Sequence, residues 1–381
     1  MLKILDPNLI ALVILTSIFF ASIISIRFAI SAAIIEIAIG AIIGNIFQIQ
    51  PPEWMKFLAT FGGILLTFLA GAEVDPKIMR QKFKESMLIG ILSFLVPFLA
   101  TLFYCRFVAS WDWKASQIAG CALSTTSLAV VYAILVETGL THSEIGKIIM
   151  ASCFITDFGT AASLSILFSD YNWLTLVFIA VSAVVIIIAP KFFPKIFKRY
   201  QDKVIEPDIK FIFVILFIFI FVAGIGAGHA VLPVFIFGLV LSKSFRENLA
   251  LQRKLRIVAF AMITPFFFMR GGMIISFKDL YVALGLLGIL FILKMAAKFI
   301  GIYPLAIKYM RGSAVYTTLL MSTGLTFGTI SSLYGFEHGF IDKTQFSVLV
   351  TVVILTAIIP SFIAQKFFQP KFETEKTNIN F

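Results

Sequence analysis

The chain has 381 residues, 60% of them hydrophobic and 13% charged, with a mean hydropathy of +1.01. That composition excludes a water-soluble globular domain and marks an all-α polytopic membrane protein. The net charge of +11 gathers in short segments between apolar runs, where it meets anionic headgroups, so no nucleic-acid partner is expected.

Breaks at charge and Pro/Gly clusters leave apolar spans near 8–26, 29–47, 57–73, 85–105, 115–136, 148–169 and 171–190. After a basic loop, 191–210, spans follow near 211–227, 230–242, 257–276, 280–307, 312–336 and 344–365. A hydrocarbon core of roughly 30 Å needs about twenty helical residues, so this pattern predicts thirteen transmembrane helices. Met1–Pro7 leads straight into the first run without a signal-peptide pattern, so helix 1 is expected to stay in the membrane. Cys105, Cys121 and Cys153 lack Cys-x-x-Cys spacing and read as small hydrophobes, with neither a disulfide framework nor a zinc site.

An odd number of crossings puts the termini on opposite sides. Counted by side, the connections hold 22 basic residues against 7, with Lys294 and Lys298 inside a span. The positive-inside rule then places the N-terminus outside and the C-terminus in the cytoplasm of a multi-pass cell-membrane protein. Helices 1–6 and 8–13 form two sets of six with one helix between them, so the second set enters from the opposite side, which is an inverted repeat. The expected units are 1–169 as the first repeat, 170–210 as linker helix 7 with its basic loop, 211–366 as the second repeat and 367–381 as a short tail.

Asp157 is the only charge between Lys147 and Asp170 and sits near the middle of a 22-residue apolar run, 148–169. A carboxylate at the bilayer midplane costs about 2.5–3.5 kcal/mol even on insertion scales, so a partner, a bound ion or a proton must compensate it. Helix 5 carries Ser124-Thr125-Thr126-Ser127 at its centre, and helix 12 carries Ser322-Thr323-Gly324-Leu325-Thr326-Phe327-Gly328-Thr329. Such hydroxyls can simply bond back to carbonyls one turn earlier or pack between helices. Their equivalent places in the two halves point instead to paired broken helices around a midplane site. Lys294, near the middle of span 280–307, is the expected countercharge. Lys298 lies one turn on, where it could snorkel to the cytoplasmic surface.

Other residues carry less. Glu73 reads equally as an interfacial acid or a site residue, Glu36 as functional or structural, and Arg270 as an anchor or gate. Gly224-x-Gly226-x-Gly228 follows no strand, so it is no dinucleotide fingerprint. His142, His229 and His338 fall in loops, which argues against a midplane histidine relay. Glu137, Glu144 and Lys147 read as a solvated turn.

Taken in order, Leu69-Ala70-Gly71-Ala72-Glu73-Val74-Asp75-Pro76, Ser124-Thr125-Thr126-Ser127 followed by Val136-Glu137-Thr138-Gly139-Leu140, Ile155-Thr156-Asp157, Lys294, and Met321-Ser322-Thr323-Gly324-Leu325-Thr326-Phe327-Gly328 resemble the monovalent cation:proton antiporter superfamily, in its Kef-like and NapA-like branch. The resemblance covers nearly all of 8–366. It implies two six-helix inverted repeats, crossed discontinuous helices 5 and 12, a homodimer, and elevator-type alternating access. It also implies that the aspartate matching Asp157 exchanges protons for Na⁺, Li⁺ or K⁺. Thr156 stands where electrogenic relatives carry another aspartate, which removes the usual carboxylate partner of the lysine matching Lys294. About fifteen residues follow the last helix, too few for the nucleotide-binding domain that Kef-type members often append.

The expected mechanism is competition of a proton and a monovalent cation for Asp157, with Thr126, Ser127, Thr156 and freed carbonyls completing an oxygen shell for the cation. The single carboxylate predicts electroneutral exchange without a cofactor, and a transporter rather than an enzyme. The rival readings are a sodium-coupled organic-anion (bile-acid-like) symporter on a related fold, a potassium-efflux channel, and a membrane receptor or scaffold. Lys294 could bind an organic carboxylate, but Asp157 would repel it. A receptor is disfavoured by the near absence of large loops.

Overall fold

The computed structural model describes residues 7–28, 30–141, 143–169, 172–200, 205–226 and 229–370. His142, Asp170, Gly228, Lys3, Lys203, Lys371, Lys376 and most of the 367–381 tail lie outside the described residues. The helices are, in order, α1 (Pro7–Phe28), α2 (Ala32–Ile46), α3 (Glu53–Ala72), α4 (Pro76–Gln81), α5 (Phe83–Phe103), α6 (Trp113–Ser124), α7 (Leu128–Glu137), α8 (Glu144–Leu167) and α9 (Trp173–Tyr200). They continue with α10 (Pro207–Gly226), α11 (Val231–Glu247), α12 (Leu249–Val258), α13 (Thr264–Ile274), α14 (Phe277–Val282), α15 (Leu284–Tyr309), α16 (Ala314–Met321), α17 (Thr326–Glu337) and α18 (Lys343–Phe367). Among the described residues, ten helical stretches are long and apolar enough to cross a membrane, by length and composition. The shorter α2 and α11 and the interrupted pair α16/α17 account for the remaining apolar spans.

One difference from the sequence reading lies in helix 7. The helix α9 continues to Tyr200 through Pro190 and Pro194, so much of the basic stretch after 190 is helical rather than loop. Phe193 is buried while Lys191 is exposed, which gives this extension a core-facing side that holds it in place.

Two groups of helices pack side by side. In the first, which we call the panel, α2 lies along α13 and α3 along α11, with α9 and α10 beside them. In the second, the core, α5 packs on α6, α8 and α15, and α16–α18 close the bundle. The two tightest panel pairings follow one rule. A Cβ on Gly40 would strike the carbonyl of Met269, and one on Gly272 the carbonyl of Ile37; likewise Gly238 faces the carbonyl of Phe68 and Gly71 that of Phe235. Small residues let backbones meet where the lipid supplies no hydrophobic drive for association. Asn45 ties one such pair at its end, donating to the carbonyl of Ile275 at 2.7 Å and accepting from Phe277 N at 2.8 Å.

Both polar stretches interrupt their helices. After Ser124 the backbone turns extended at Thr125 (φ −65°, ψ 153°) and is still extended at Ser127 before α7 begins. In the second half α16 stops at Met321 and α17 starts after Leu325 (φ −149°, ψ −73°). The hydroxyls help end the helices by competing for their carbonyls: Ser124 donates to Cys121 O at 3.0 Å, Thr125 to Ala122 O at 3.1 Å and Thr323 to Leu320 O at 2.7 Å. The groups left over pair across the two breaks. Ser127 N donates to Thr323 O at 3.0 Å, and Thr126 Oγ1 to Met321 O at 2.7 Å. Residues 124–127 are at most 2% exposed, so these pairings supply partners that water cannot.

Candidate functional site

Ser143 caps the start of α8 by accepting from Gly146 N at 3.0 Å, and the helix then carries Asp157 to the level of the two breaks. Asp157 is 4% exposed, and its Oδ1 is buried without a hydrogen-bond partner. The same holds for Ser127 Oγ. Both residues line a cavity of about 40 Å³, together with Glu73, Thr326 and Phe327. Buried polar atoms without partners are uncommon in native structures and call for an occupant. A carboxylate and a hydroxyl meeting at a space that takes little more than a water-sized guest suit a small hard cation or a hydrated proton.

Glu73 also lines a second, larger cavity of about 300 Å³, shared with Asp75, Tyr132, Phe154, Arg246 and Arg256. Glu73 and Leu128 line both spaces, and Glu73 is the charged residue between the wide one and the narrow one. Its carboxylate accepts from Arg256 Nε at 2.9 Å and Nη2 at 2.6 Å, while Asp75 pairs with Arg246. The sequence offered no way to choose between the two readings of Glu73, because the end of α3 lies near a membrane boundary. Glu36, buried in α2, lines neither cavity.

Both lysines of α15 turn inward. Lys298 is fully buried and donates to Ser124 O at 2.8 Å, Ser93 Oγ at 2.9 Å and Thr126 Oγ1 at 2.9 Å. Its three donors thus have three acceptors. One of these is the last carbonyl of α6, where a half-helix carries about −0.5 charge. Lys298 does not snorkel. The helix α15 spans 284–309 rather than 280–307, which moves its midpoint between the two lysines. At Gly301 it approaches α5 so closely that a Cβ would lie 2.8 Å from Leu92 O, which draws Lys298 inward. Lys294, also fully buried, serves the other break, donating to Thr356 Oγ1 at 3.0 Å beside Gly324.

Among the expected cation ligands, Asp157 and Ser127 come together on the small cavity. Thr126 is turned to Lys298 and Met321, and Thr156 Oγ1 donates to Ser152 O at 2.9 Å along its own helix. Gly324 is where the breaks and Lys294 meet. A methyl there would run into Lys294 Nζ and lie 2.8 Å from Thr125 Oγ1. Gly324→Ala is therefore expected to force the breaks apart and weaken Na⁺ binding by about tenfold, the effect of roughly 1.4 kcal/mol. Calorimetric titration of purified protein checks this, and an unchanged affinity would show that the breaks tolerate separation.

Comparison with known proteins places the chain among sodium/proton antiporters. The "Probable Na(+)/H(+) antiporter 3" of Methanocaldococcus jannaschii is 26% identical over 360 residues, covering 89% of this chain and 91% of its own. The Na⁺/H⁺ antiporter of Enterococcus hirae is 23% identical over 374 residues (90% and 93%), and the Na⁺/H⁺-K⁺ antiporter GerN of Bacillus cereus 23% over 349 residues (88% and 89%). The solved structure of the sodium proton antiporter MjNhaP1 from M. jannaschii at pH 8 superposes with a TM-score of 0.71 at 15% identity, covering 94% of this chain and 97% of that one, a likeness of fold. Residues 12–368 match the family described as "Sodium/hydrogen exchanger, transmembrane", and the chain belongs to that family.

Proposed function

We propose that the protein is a secondary antiporter that exchanges a monovalent cation, Na⁺, Li⁺ or K⁺, for H⁺, with Asp157 as the group both ions share. The observation that carries this reading is the pair of unpartnered oxygens, Asp157 Oδ1 and Ser127 Oγ, on a cavity that shares Glu73 with a wider one. Lys298 supplies a fixed positive charge near Asp157, and Lys294 a second one at the other break. Thr126 acts by positioning Lys298. The narrow site suits an ion better than an organic anion. The test is proton movement in proteoliposomes under a pH gradient, with Na⁺, Li⁺, K⁺ and choline added in turn. No response to any of the three metal ions would refute the proposal.

The transport cycle we assign is an elevator-type movement of the core against the panel, in a homodimer with thirteen crossings per subunit, the N-terminus outside and the C-terminus cytoplasmic. Two inverted halves, 1–169 and 211–366 with 170–210 linking them, are supported by the glycine contacts. Gly40 and Gly238 are 198 positions apart and Gly71 and Gly272 are 201 apart, and α2 meets α13 through contacts equivalent to those by which α11 meets α3. Ser124 and Ser322, at the two breaks, are again 198 apart.

Exchange is electroneutral in this reading. Thr156 supplies no second acid, and Lys298 is assigned no proton in the cycle, so each crossing carries either one proton or one cation on Asp157. With Na⁺ as substrate and no pH gradient, proton flux is expected to stay the same when a K⁺/valinomycin potential is imposed. Flux that follows the potential would require a second proton, and loss of that dependence in Lys298→Gln would assign it to Lys298.

A further inference from the structure

The panel and the core are joined at one end and parted at the other. The wide cavity is lined by Thr141 just before α8, by Arg246 at the end of α11 and by Arg256 in α12. At that end the pairs Glu73–Arg256 and Asp75–Arg246 link the end of α3 to α11 and α12. Neither of these two pairs includes a residue of a core helix. At the opposite end of these helices the links cross between the groups. Arg270 of α13 pairs with Glu337, the last residue of α17, and its side chain is only 8% exposed. His229, just before α11, has its Nε2 2.7 Å from Tyr334 Oη of α17 and 2.9 Å from Phe168 O at the end of α8. Leu232 N donates to Ser165 Oγ at 3.3 Å. The rings of His229 and Tyr334 are 4.5 Å apart, which adds an aromatic contact across the gap.

We infer that the Arg270–Glu337 ion pair and the His229–Tyr334 contact form a latch that shuts the path to Asp157 on this side and sets how much of the protein faces the other way. This inference rests on the alternating-access reading above, in which the latched side is the outer one. A guanidinium held in so little water loses its counterion when core and panel part, so the latched arrangement is favoured as long as the pair is intact. Removing either charge takes away interaction energy present in one state and absent in the other, which shifts the populations of the two states. Neither residue touches the cation, so the latch changes which side the site faces without changing what it binds.

The experiment reads sidedness directly. Tyr132 lines the wide cavity, and Tyr132→Cys, in a background with Cys105, Cys121 and Cys153 replaced by Ser, reports the cavity's opening by its rate of reaction with a membrane-impermeant maleimide. In Glu337→Gln or Arg270→Gln that rate is expected to fall roughly tenfold, a typical size for coupling between two states. The double variant is expected to fall no further than the larger single, because the two charges act as one pair. Tyr334→Phe removes the hydroxyl that meets His229 Nε2 and is expected to lower the rate about two- to tenfold; it serves if the charge variants fail to fold. Labelling unchanged in the single variants, or effects that multiply in the double, would overturn the latch. Labelling needs no transport, so it decides the latch even if Na⁺-dependent proton movement is never seen, and that absence would count against the antiport reading alone.

Discussion

Asp157→Asn is expected to reduce cation-dependent proton movement to that of empty liposomes. The amide keeps the shape of the side chain and fits the same small cavity, but it can neither carry a proton nor balance a cation's charge. The fold should survive. An ion in this site must be stripped of water, and a buried charge without a counter-charge costs several kcal/mol, so loss of the carboxylate removes the reason for a cation to enter. The structure predicts little cost to stability, because Asp157 Oδ1 makes no hydrogen bond that the substitution would break. Purified Asp157→Asn should therefore elute and melt like the parent protein while failing to respond to Na⁺, Li⁺ or K⁺. In the parent, half-saturating Na⁺ should rise as the pH falls, since protons occupy the group the cation needs. Transport near the parent level in Asp157→Asn would remove this carboxylate from the mechanism, and a pH-independent half-saturation would place proton and cation on separate groups.

Much of this arrangement can be read in the chain because lipid leaves few choices. Asp157 announces itself by standing alone in an apolar run, and hydroxyls at the centre of two spans announce the breaks, since free backbone at that depth must find partners within the protein. Contacts between helices are harder to read. Whether Lys294 or Lys298 reaches the first break depends on where α15 begins and on how near Gly301 brings it to α5, and hydropathy fixes helix ends only to within a turn or so. Thr156 illustrates the same limit: adjacency to Asp157 in sequence puts its side chain about 100° around the helix, where it bonds to Ser152 O instead of facing the cavity. The Arg270–Glu337 pair joins residues 67 positions apart, and nothing local to either residue points to the other. The glycines that recur about 200 positions apart, at Gly40 and Gly238 and at Gly71 and Gly272, are legible in the sequence and support the proposed inverted halves.

Lys298→Met is expected to leave a folded protein that binds cations more tightly and turns over more slowly. Three hydrogen bonds from an ammonium are lost, each worth about 1.5–3 kcal/mol. Against this, the desolvation of a buried ammonium, also several kcal/mol, is relieved. The two terms are of similar size, so stability should change little. Function should change more. In the proposed mechanism Lys298, held at the first break by Ser124 O and Thr126 Oγ1, is the fixed positive charge on the core, and it opposes any cation that approaches the carboxylate. Without it the site is more negative, the end of α6 loses its counter-charge, and both Na⁺ and H⁺ are held more firmly. Half-saturating Na⁺ should fall and the maximal exchange rate should fall with it, each by about 5- to 150-fold, the usual range for coupled sites. A residue with a purely structural role would not produce this split, since a damaged site loses affinity and rate together. Lys298→Arg keeps the charge and should recover part of the rate. Lys294→Met is the control, because Lys294 donates to Thr356 of α18 and should affect half-saturation less. If Lys294→Met gave the larger change, or Lys298→Met left both parameters where they were, the counter-charge to Asp157 would belong to Lys294.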